Sequence, residues 1–379
     1  MDLVELGSIL HFEKGKKPVF QSDSPEDGYL PYVDIEAFET GKIKQYTDGT
    51  KCTPCDNGDI LIVCDGSRSG LVGRAVKGYV GSTLAKISAD GLTDRYLFRF
   101  VQGKYALLNT KKKGTGTPHL DQELLKQQKL IVPSIEEQKR IVARIEELFS
   151  QLDAGVETLK KIKAQLAVYR QAVLKEAFDS VSGAGAASIE SLCKNIVDCP
   201  HSTPKWSNEG YLCLRTTNFK RGRLDLSEKN YVTKETFDIR NARLIPLPGD
   251  VLYSREGAIL GIACIIPKDT YVCLGQRMML LRAGERLNNK YLMYFLNSPA
   301  VTNYVASITG GSASPHVNVG DIKAFMIPCP NITTQERIVL EIDSRFSVCD
   351  SIEQTVDTAL QQAEAMRQSI LKDSFEGRL

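Results

Sequence analysis

Gln138-Lys139-Arg140-Ile141-Val142 returns 197 residues later as Gln335-Glu336-Arg337-Ile338-Val339. The match runs outward from there without a gap. Pro118-His119 returns as Pro315-His316 and Pro133 as Pro330. Ile145, Phe149, Asp153, Arg170, Leu174, Lys175 and Phe178 return as Ile342, Phe346, Asp350, Arg367, Leu371, Lys372 and Phe375. About a third of the positions from 118 to 178 are identical to their partners, which duplication produces and chance periodicity does not. Upstream the likeness is looser. Gly58-Asp59-Ile60-Leu61 corresponds to Gly249-Asp250-Val251-Leu252, and Gly66 and Gly70 fall on Gly257 and Gly261. The chain therefore carries one plan twice, a globular part followed by a better-matched tail.

The tails read as long helices. Behind Pro133, Ser134 is positioned to cap the first amides and Glu137 to close a capping box; behind Pro330, Asn331 or Thr333 takes the cap, with Glu336 in the box position if it is Thr333. An apolar seam of Ile145, Leu148, Leu152, Leu159, Ile162, Leu166, Tyr169 and Val173 follows. The second tail offers Ile342, Cys349, Ile352, Val356, Ala359, Ala363, Met366 and Ile370. Bulky residues facing small ones suit close helix pairing, and the intervening globular part makes the antiparallel sense natural. The other reading, each helix packed only on its own globular part, fits a seam this narrow less well. Within the globular parts, residues 60 to 64, 96 to 100 and 264 to 266 read as strands and Tyr291 to Leu296 as a short helix. The small residues 181 to 187 read as a flexible linker.

The expected fold is α+β: two similar mixed α/β globular domains, 1 to 133 and 188 to 330, and two long helices, 134 to 180 and 331 to 379. The helices form an intramolecular antiparallel coiled coil, giving a pseudo-twofold internal repeat.

At 379 residues and 42% hydrophobic content the chain exceeds what one core supports. No apolar run approaches the roughly 20 residues that span a bilayer, and Met1-Asp2-Leu3-Val4-Glu5 does not open like a signal peptide. A cytoplasmic protein without membrane attachment is expected, its ten cysteines reduced thiols rather than a disulfide framework. Phosphate-binding, dinucleotide, zinc-protease and nucleophile-elbow motifs are missing from the sequence, as is the Asn/Asp-Pro-Pro-aromatic tetrapeptide of amino-methyltransferases. Cys52-Thr53-Pro54-Cys55 lacks two further ligands at metal spacing. His119 and His316 read as turn-stabilising. The pattern is that of a binder, with neither catalytic residues nor a metal.

The net charge of +2 is uneven, since residues 188 to 330 hold 17 Lys and Arg against 12 acids, or +5. Cations gather near turns, as they do where a phosphate backbone is followed. The candidates for DNA contact are Lys14, Lys16, Lys17, Arg68, Arg74, Lys111, Lys112 and Lys113 in the first domain. In the second they are Arg215, Asn218, Lys220, Arg221 and Arg255. Arg68 and Arg255 each follow a Gly-Asp-Ile/Val-Leu strand, where a guanidinium could reach a guanine edge. A surface ion pair is the plainer role for any one of them.

The order of a globular part, Gly114-Thr115-Gly116-Thr117-Pro118-His119-Leu120, Pro133-Ser134-Ile135-Glu136-Glu137-Gln138 and a long helix, then the same again, resembles the DNA specificity subunit of type I restriction-modification systems. The resemblance covers the whole chain; it departs at Gly310-Gly311-Ser312-Ala313-Ser314 and in the lysine run, which has no second copy. It implies that each globular part is a target-recognition domain reading half of an asymmetric, two-part site on double-stranded DNA, with the helices fixing the unread spacer. It implies two modification subunits that bind S-adenosylmethionine and methylate adenine, and restriction subunits using ATP and Mg. No cofactor is expected on this chain. Partner contacts are expected on the outward helix faces at Gln138, Arg140, Gln335 and Arg337, unless these residues pin the helix starts to their domains. The alternative from another class is a non-catalytic coiled-coil scaffold binding protein or carbohydrate.

Overall fold

The computed structural model describes residues 3–113, 118–311 and 315–378. Gly114 to Thr117 and Ser312 to Ser314, parts of the two pre-helix motifs, lie outside them. The chain divides into two compact units, Met1–Leu159 with Asp357–Leu379, and Lys160–Val356. Each unit holds one globular part and a piece of both long helices.

In the first unit an antiparallel sheet runs in the order Leu10–Lys14, Leu84–Ala89, Ile60–Val63, Val72–Arg74. A second sheet, Tyr46–Thr47, Leu30–Val33, Gly78–Val80, Pro54–Cys55, contains one parallel pair, Tyr32 with Tyr79 and Val33 with Val80. The second unit repeats this. Cys193–Asp198, Met278–Ala283, Val251–Ser254 and Ala263–Ile265 continue through Gly222–Leu224 to Phe219–Lys220. Its companion sheet also has a parallel pair, Cys213 with Cys273. All four residues of Ile60–Val63 and of Val251–Ser254 are buried, as expected for central strands covered on both faces. Each domain is closed by a two-stranded ribbon, Leu3–Glu5 with Lys129–Ile131 and Ala186–Ser188 with Met326–Pro328.

The segment from Tyr96 to Phe100, expected as a strand, is instead the middle of a helix, Asp94–Gly103. Thr93 Oγ1 accepts the Tyr96 amide, Asp94 occupies the first turn, and Tyr96, Leu97, Phe100 and Val101 are buried, one face at helical spacing. The equivalent helix, Asn289–Leu296, is where the sequence places it. The stretch from 181 to 187 is not a loose linker either: Ser182–Ala184 forms a 3₁₀ turn and Ala186 enters the closing ribbon opposite Pro328.

The tails are single helices, Ile135–Asp179 and Ile332–Phe375, and they pair antiparallel. In the first unit Ile145 and Phe149 pack with Leu371, and Arg367 pairs with Asp153. In the second, Arg170 binds Asp350 at 2.6 Å and Glu353 at 2.9 Å, and Arg345 binds Glu176 at 2.7 Å. Partners descend one helix as they climb the other. The seam differs from the apolar reading in detail. Tyr169, Ile352 and Met366 are exposed, whereas Lys163, Arg170, Glu353 and Arg367 are half-buried at seam positions: Lys163 and Arg170 follow Phe149, Leu152, Val156 and Leu159, and Glu353 and Arg367 follow Ile342 and Cys349, in steps of three and four. Charged residues at heptad positions reach partners across the pair, and the neighbouring apolar residues are displaced outward.

Each long helix ends on aromatic rings. Phe375 packs edge-on against Tyr96 at 5.0 Å and Phe100 at 5.3 Å in the first unit. Phe178 meets Tyr291 at 5.0 Å and Phe295 at 5.3 Å in the second.

Candidate nucleic-acid interface

The helix starts come first, because they fix how each domain is held. Gln138 is fully buried; its Oε1 accepts Thr93 N–H at 2.7 Å and its Nε2 donates to Gly91 O at 2.7 Å and Pro133 O at 3.1 Å. Gln335 repeats every bond: Oε1 from Asn288 N–H at 2.9 Å, Nε2 to Arg286 O at 3.0 Å and Pro330 O at 2.8 Å. Thr93 and Asn288 cap the helices of the two domains. The two glutamines thus face inward, not onto the outward helix faces, because a buried amide satisfies three backbone groups that would otherwise lack partners. Of the four expected partner-contact residues, Arg140, paired with Glu137 at 2.7 Å, and Arg337 are exposed.

The glycine turn after each central strand is joined to the segment preceding the long helix. Gly66 N–H donates to Pro118 O at 2.8 Å and Leu120 N–H to Cys64 O at 2.7 Å; Gly257 N–H donates to Pro315 O at 2.9 Å and Val317 N–H to Arg255 O at 2.9 Å. Gly66 and Gly257 have φ of 106° and 84°, values that favour glycine. His119 stabilises this junction: its Nδ1 is 2.7 Å from Asp65 Oδ1, and its backbone pairs with Lys113.

Around these junctions the cations divide into displayed and committed ones. Lys16, Lys17, Lys111 and Lys220 are exposed, as is Arg221. Lys14 is exposed but 3.1 Å from Asp65. Lys112 donates to Ser67 O at 2.9 Å, and Lys113 binds Asp121 at 2.8 Å, a hydrogen bond that holds the Asp121 carboxyl below its ordinary range. Arg68 is exposed with its guanidinium 2.5 Å from Glu39. Arg74 is drawn inward, donating to Gly58 O at 2.8 Å and lying over the Phe98 ring at 4.5 Å; burial pulls its pKa below the usual value.

Two candidates in the second domain are turned into the structure. Asn218 is 3% exposed, accepting Arg215 N–H and donating to Asp225 O and Glu228 O, each at 2.9 Å. It staples a loop instead of facing a ligand. Arg255 is 6% exposed, gripping Asp198 with Nε at 2.9 Å and Nη2 at 2.8 Å, with Glu256 at 2.7 Å. Burial opposes its charge, but the Asp198 hydrogen bonds and charge outweigh that and its pKa stands above the ordinary value. Its partner lies 57 positions away, which the local turn pattern does not disclose. Arg215 remains exposed, its guanidinium 5.7 Å from the centroid of Trp206. Trp206 carries no charge and so falls outside the pattern of clustered cations. The sequence signal was a single tryptophan in the polar stretch Thr203-Pro204-Lys205-Trp206-Ser207.

Among the described residues no group of three or more His, Cys, Asp and Glu side chains is placed to hold a metal ion, and no helix is long and apolar enough to cross a membrane.

The family described as "Type I restriction modification DNA specificity domain" matches residues 1–167 and again 195–362. The specificity subunit of the type I restriction enzyme MjaVIII from Methanocaldococcus jannaschii is 23% identical over 398 residues, covering 100% of this chain and 92% of that protein. The EcoBI specificity subunit of Escherichia coli is 24% identical over 359 residues, covering 85% and 73%. In fold, the chain is similar to a solved structure reported as "Structural basis underlying complex assembly and conformational transition of the type I R-M system". The TM-score is 0.72 at 20% identity, with 100% of this chain and 98% of that one covered.

Proposed function

The chain belongs to the type I restriction-modification DNA specificity family, and on that premise we propose that it is the DNA-reading subunit of such a complex. Each domain reads one half of an asymmetric two-part site on double-stranded DNA, and the paired helices set the unread spacer. The observation that carries this is the coincidence of the two family matches with two domains, each locked to its helix start by the same glutamine. A reader held by buried hydrogen bonds keeps its orientation to the helix, and fixed orientation is what turns two modest contacts into one spaced recognition event.

Chemistry is assigned to partners: two modification subunits that bind S-adenosylmethionine and methylate an extruded adenine, and restriction subunits that use ATP and Mg to cleave unmodified DNA. Their docking contacts fall on exposed helix surface, with Arg140 and Arg337 at the helix starts. The displayed cations Lys16, Lys17, Lys111, Lys220 and Arg221 supply phosphate contacts, and the complex works where DNA is, in the cytoplasm.

The test is selection of bound duplexes from a randomised library by the chain assembled with its modification subunit, at near-physiological salt. A two-part motif with a constant gap is expected, and exchange of residues 188 to 330 for another recognition domain should alter one part alone. A contiguous motif would refute the two-reader scheme, and no enrichment by a methylation-competent complex would favour a scaffold for protein or carbohydrate.

A further inference from the structure

Trp206, the sole tryptophan of the chain, is 43% exposed on a two-residue strand at the edge of its sheet. A partly exposed indole offers a flat apolar face with a polar N–H, a surface suited to contact with another planar group. The first unit has a similar segment, shifted by one residue, with Gln21 at the place matching Trp206 and the aromatic Phe20 just before it. Ser22 pairs with Tyr46 as Ser207 pairs with Tyr231, and the segment leading in, Lys17-Pro18-Val19-Phe20 against Thr203-Pro204-Lys205-Trp206, carries Phe20 at 56% exposure. Both domains therefore display a large aromatic beside a proline and a lysine.

Arg215 completes the arrangement in the second domain. Its guanidinium lies 5.7 Å from the Trp206 ring centroid, within range of a cation–π contact that limits how the planar fork turns. Its backbone is anchored, because buried Asn218 accepts Arg215 N–H while donating to two carbonyls of the following loop. Among the described residues Arg215 has no carboxylate partner, whereas Arg68 binds Glu39 and Arg255 binds Asp198. An exposed, unpaired arginine with a fixed base and a restrained plane is suited to a planar, bidentate acceptor.

We propose that Arg215 is the residue with which the second domain reads a guanine, donating two N–H groups to N7 and O6 in the major groove, and that Trp206 is its positioning residue. This rests on the DNA-reading function proposed above and adds to it a base and the residue that selects it.

The experiment is the same library selection with full-length Arg215→Lys, Arg215→Ala, Trp206→Ala and Trp206→Phe chains, each assembled with the modification subunit. Trp206 emission provides a second readout. Arg215→Lys keeps the charge and loses the fork, so preference for guanine at one position of one half-site should fall roughly tenfold to a hundredfold, with the other half unchanged. Trp206→Ala should weaken the same position and Trp206→Phe should restore it. Emission should change on adding the selected duplex and not on adding one substituted at that guanine. If the wild-type complex selects a two-part site and Arg215→Lys selects it unaltered, the inference is overturned while the DNA-reading function stands. It is equally overturned if Arg215→Ala weakens all sequences alike and lowers the salt slope by about one, the signature of a phosphate contact. A wild-type complex that selects nothing overturns the DNA-reading function itself.

Discussion

Gln138 Oε1 accepts the backbone N–H of Thr93 at 2.7 Å across 45 positions of sequence, so the first turn of one helix is tied to the cap of another. Replacing Gln138 with Leu keeps the volume and strands Thr93 N–H, Gly91 O and Pro133 O. A loss of about 3 kcal/mol is expected from buried groups left without partners. Hydrogen exchange checks it locally: the Thr93 amide should lose protection in Gln138→Leu and the Asn288 amide in Gln335→Leu, each without the other.

Asp198 is the sole carboxylate besides Glu256 paired with buried Arg255 among the described residues. Asp198→Ala should cost about 3 to 5 kcal/mol, because it leaves a buried charge poorly compensated. In the first unit the strand position of Asp198 is held by Lys14, since Lys14 lies opposite Ala85 as Asp198 lies opposite Met279. Lys14→Asp should destabilise that unit by about 1 kcal/mol, and adding Cys64→Arg should recover at least half. Urea midpoints of the three variants decide the matter.

Phe178 is 5% exposed and Phe375 half-buried in matching aromatic nests. Phe178→Ala should cost about 3 to 5 kcal/mol and Phe375→Ala about 2 to 3. In calorimetry each should lower the transition of its own unit.

Burial pushes the thiols of Cys55 up to about 11 and of Cys64 and Cys193 up to about 12, from an ordinary 9.0. Burial also raises the Tyr96 hydroxyl to about 12. The unfolded chain releases these protons first, so between pH 9 and 12 the folded state binds more of them and stability falls as pH rises. Denaturant midpoints should be flat in this contribution below pH 8.5 and decline above 9. These thiols should resist alkylation at pH 8 until the chain unfolds.

Arg170 and Glu353, 2.9 Å apart, should show a coupling of about 0.5 to 1 kcal/mol in a double-mutant cycle with Ala. The coupling should shrink in 1 M salt. A coupling of zero would show that the helix seam owes nothing to this pair.

The duplicated tail made most of the architecture legible. Conserved spacing places Gln138 and Gln335 at helix starts, and the buried amides show why those two positions resisted drift. What stayed hidden has a common cause, partners distant in sequence. Arg255 is in the turn expected for a reader, but only the fold brings Asp198 to it. Ala186 is a small residue in a small-residue stretch until Pro328 arrives opposite. Lys163 and Arg170 interrupt an apolar pattern that, read from sequence alone, runs through Tyr169. The Tyr96 to Phe100 helix is a different case: its run of aromatic and aliphatic residues also suits a strand, and the cap that makes it a helix, Thr93, lies outside the run.

The contrast between Lys14 with Asp65 and Asp198 with Arg255 and Glu256 bears on how such chains recombine. Moving the strand of one domain into the other would set Asp198 beside Asp65 with only a neutral Cys64 between them, or Lys14 beside Arg255. Either hybrid carries like charges at a packed junction. Crossovers inside a domain are thus penalised and crossovers at the better-matched helix segments are not. New specificities in this lineage should be inherited as whole domains, exchanged at the places where the two halves still match.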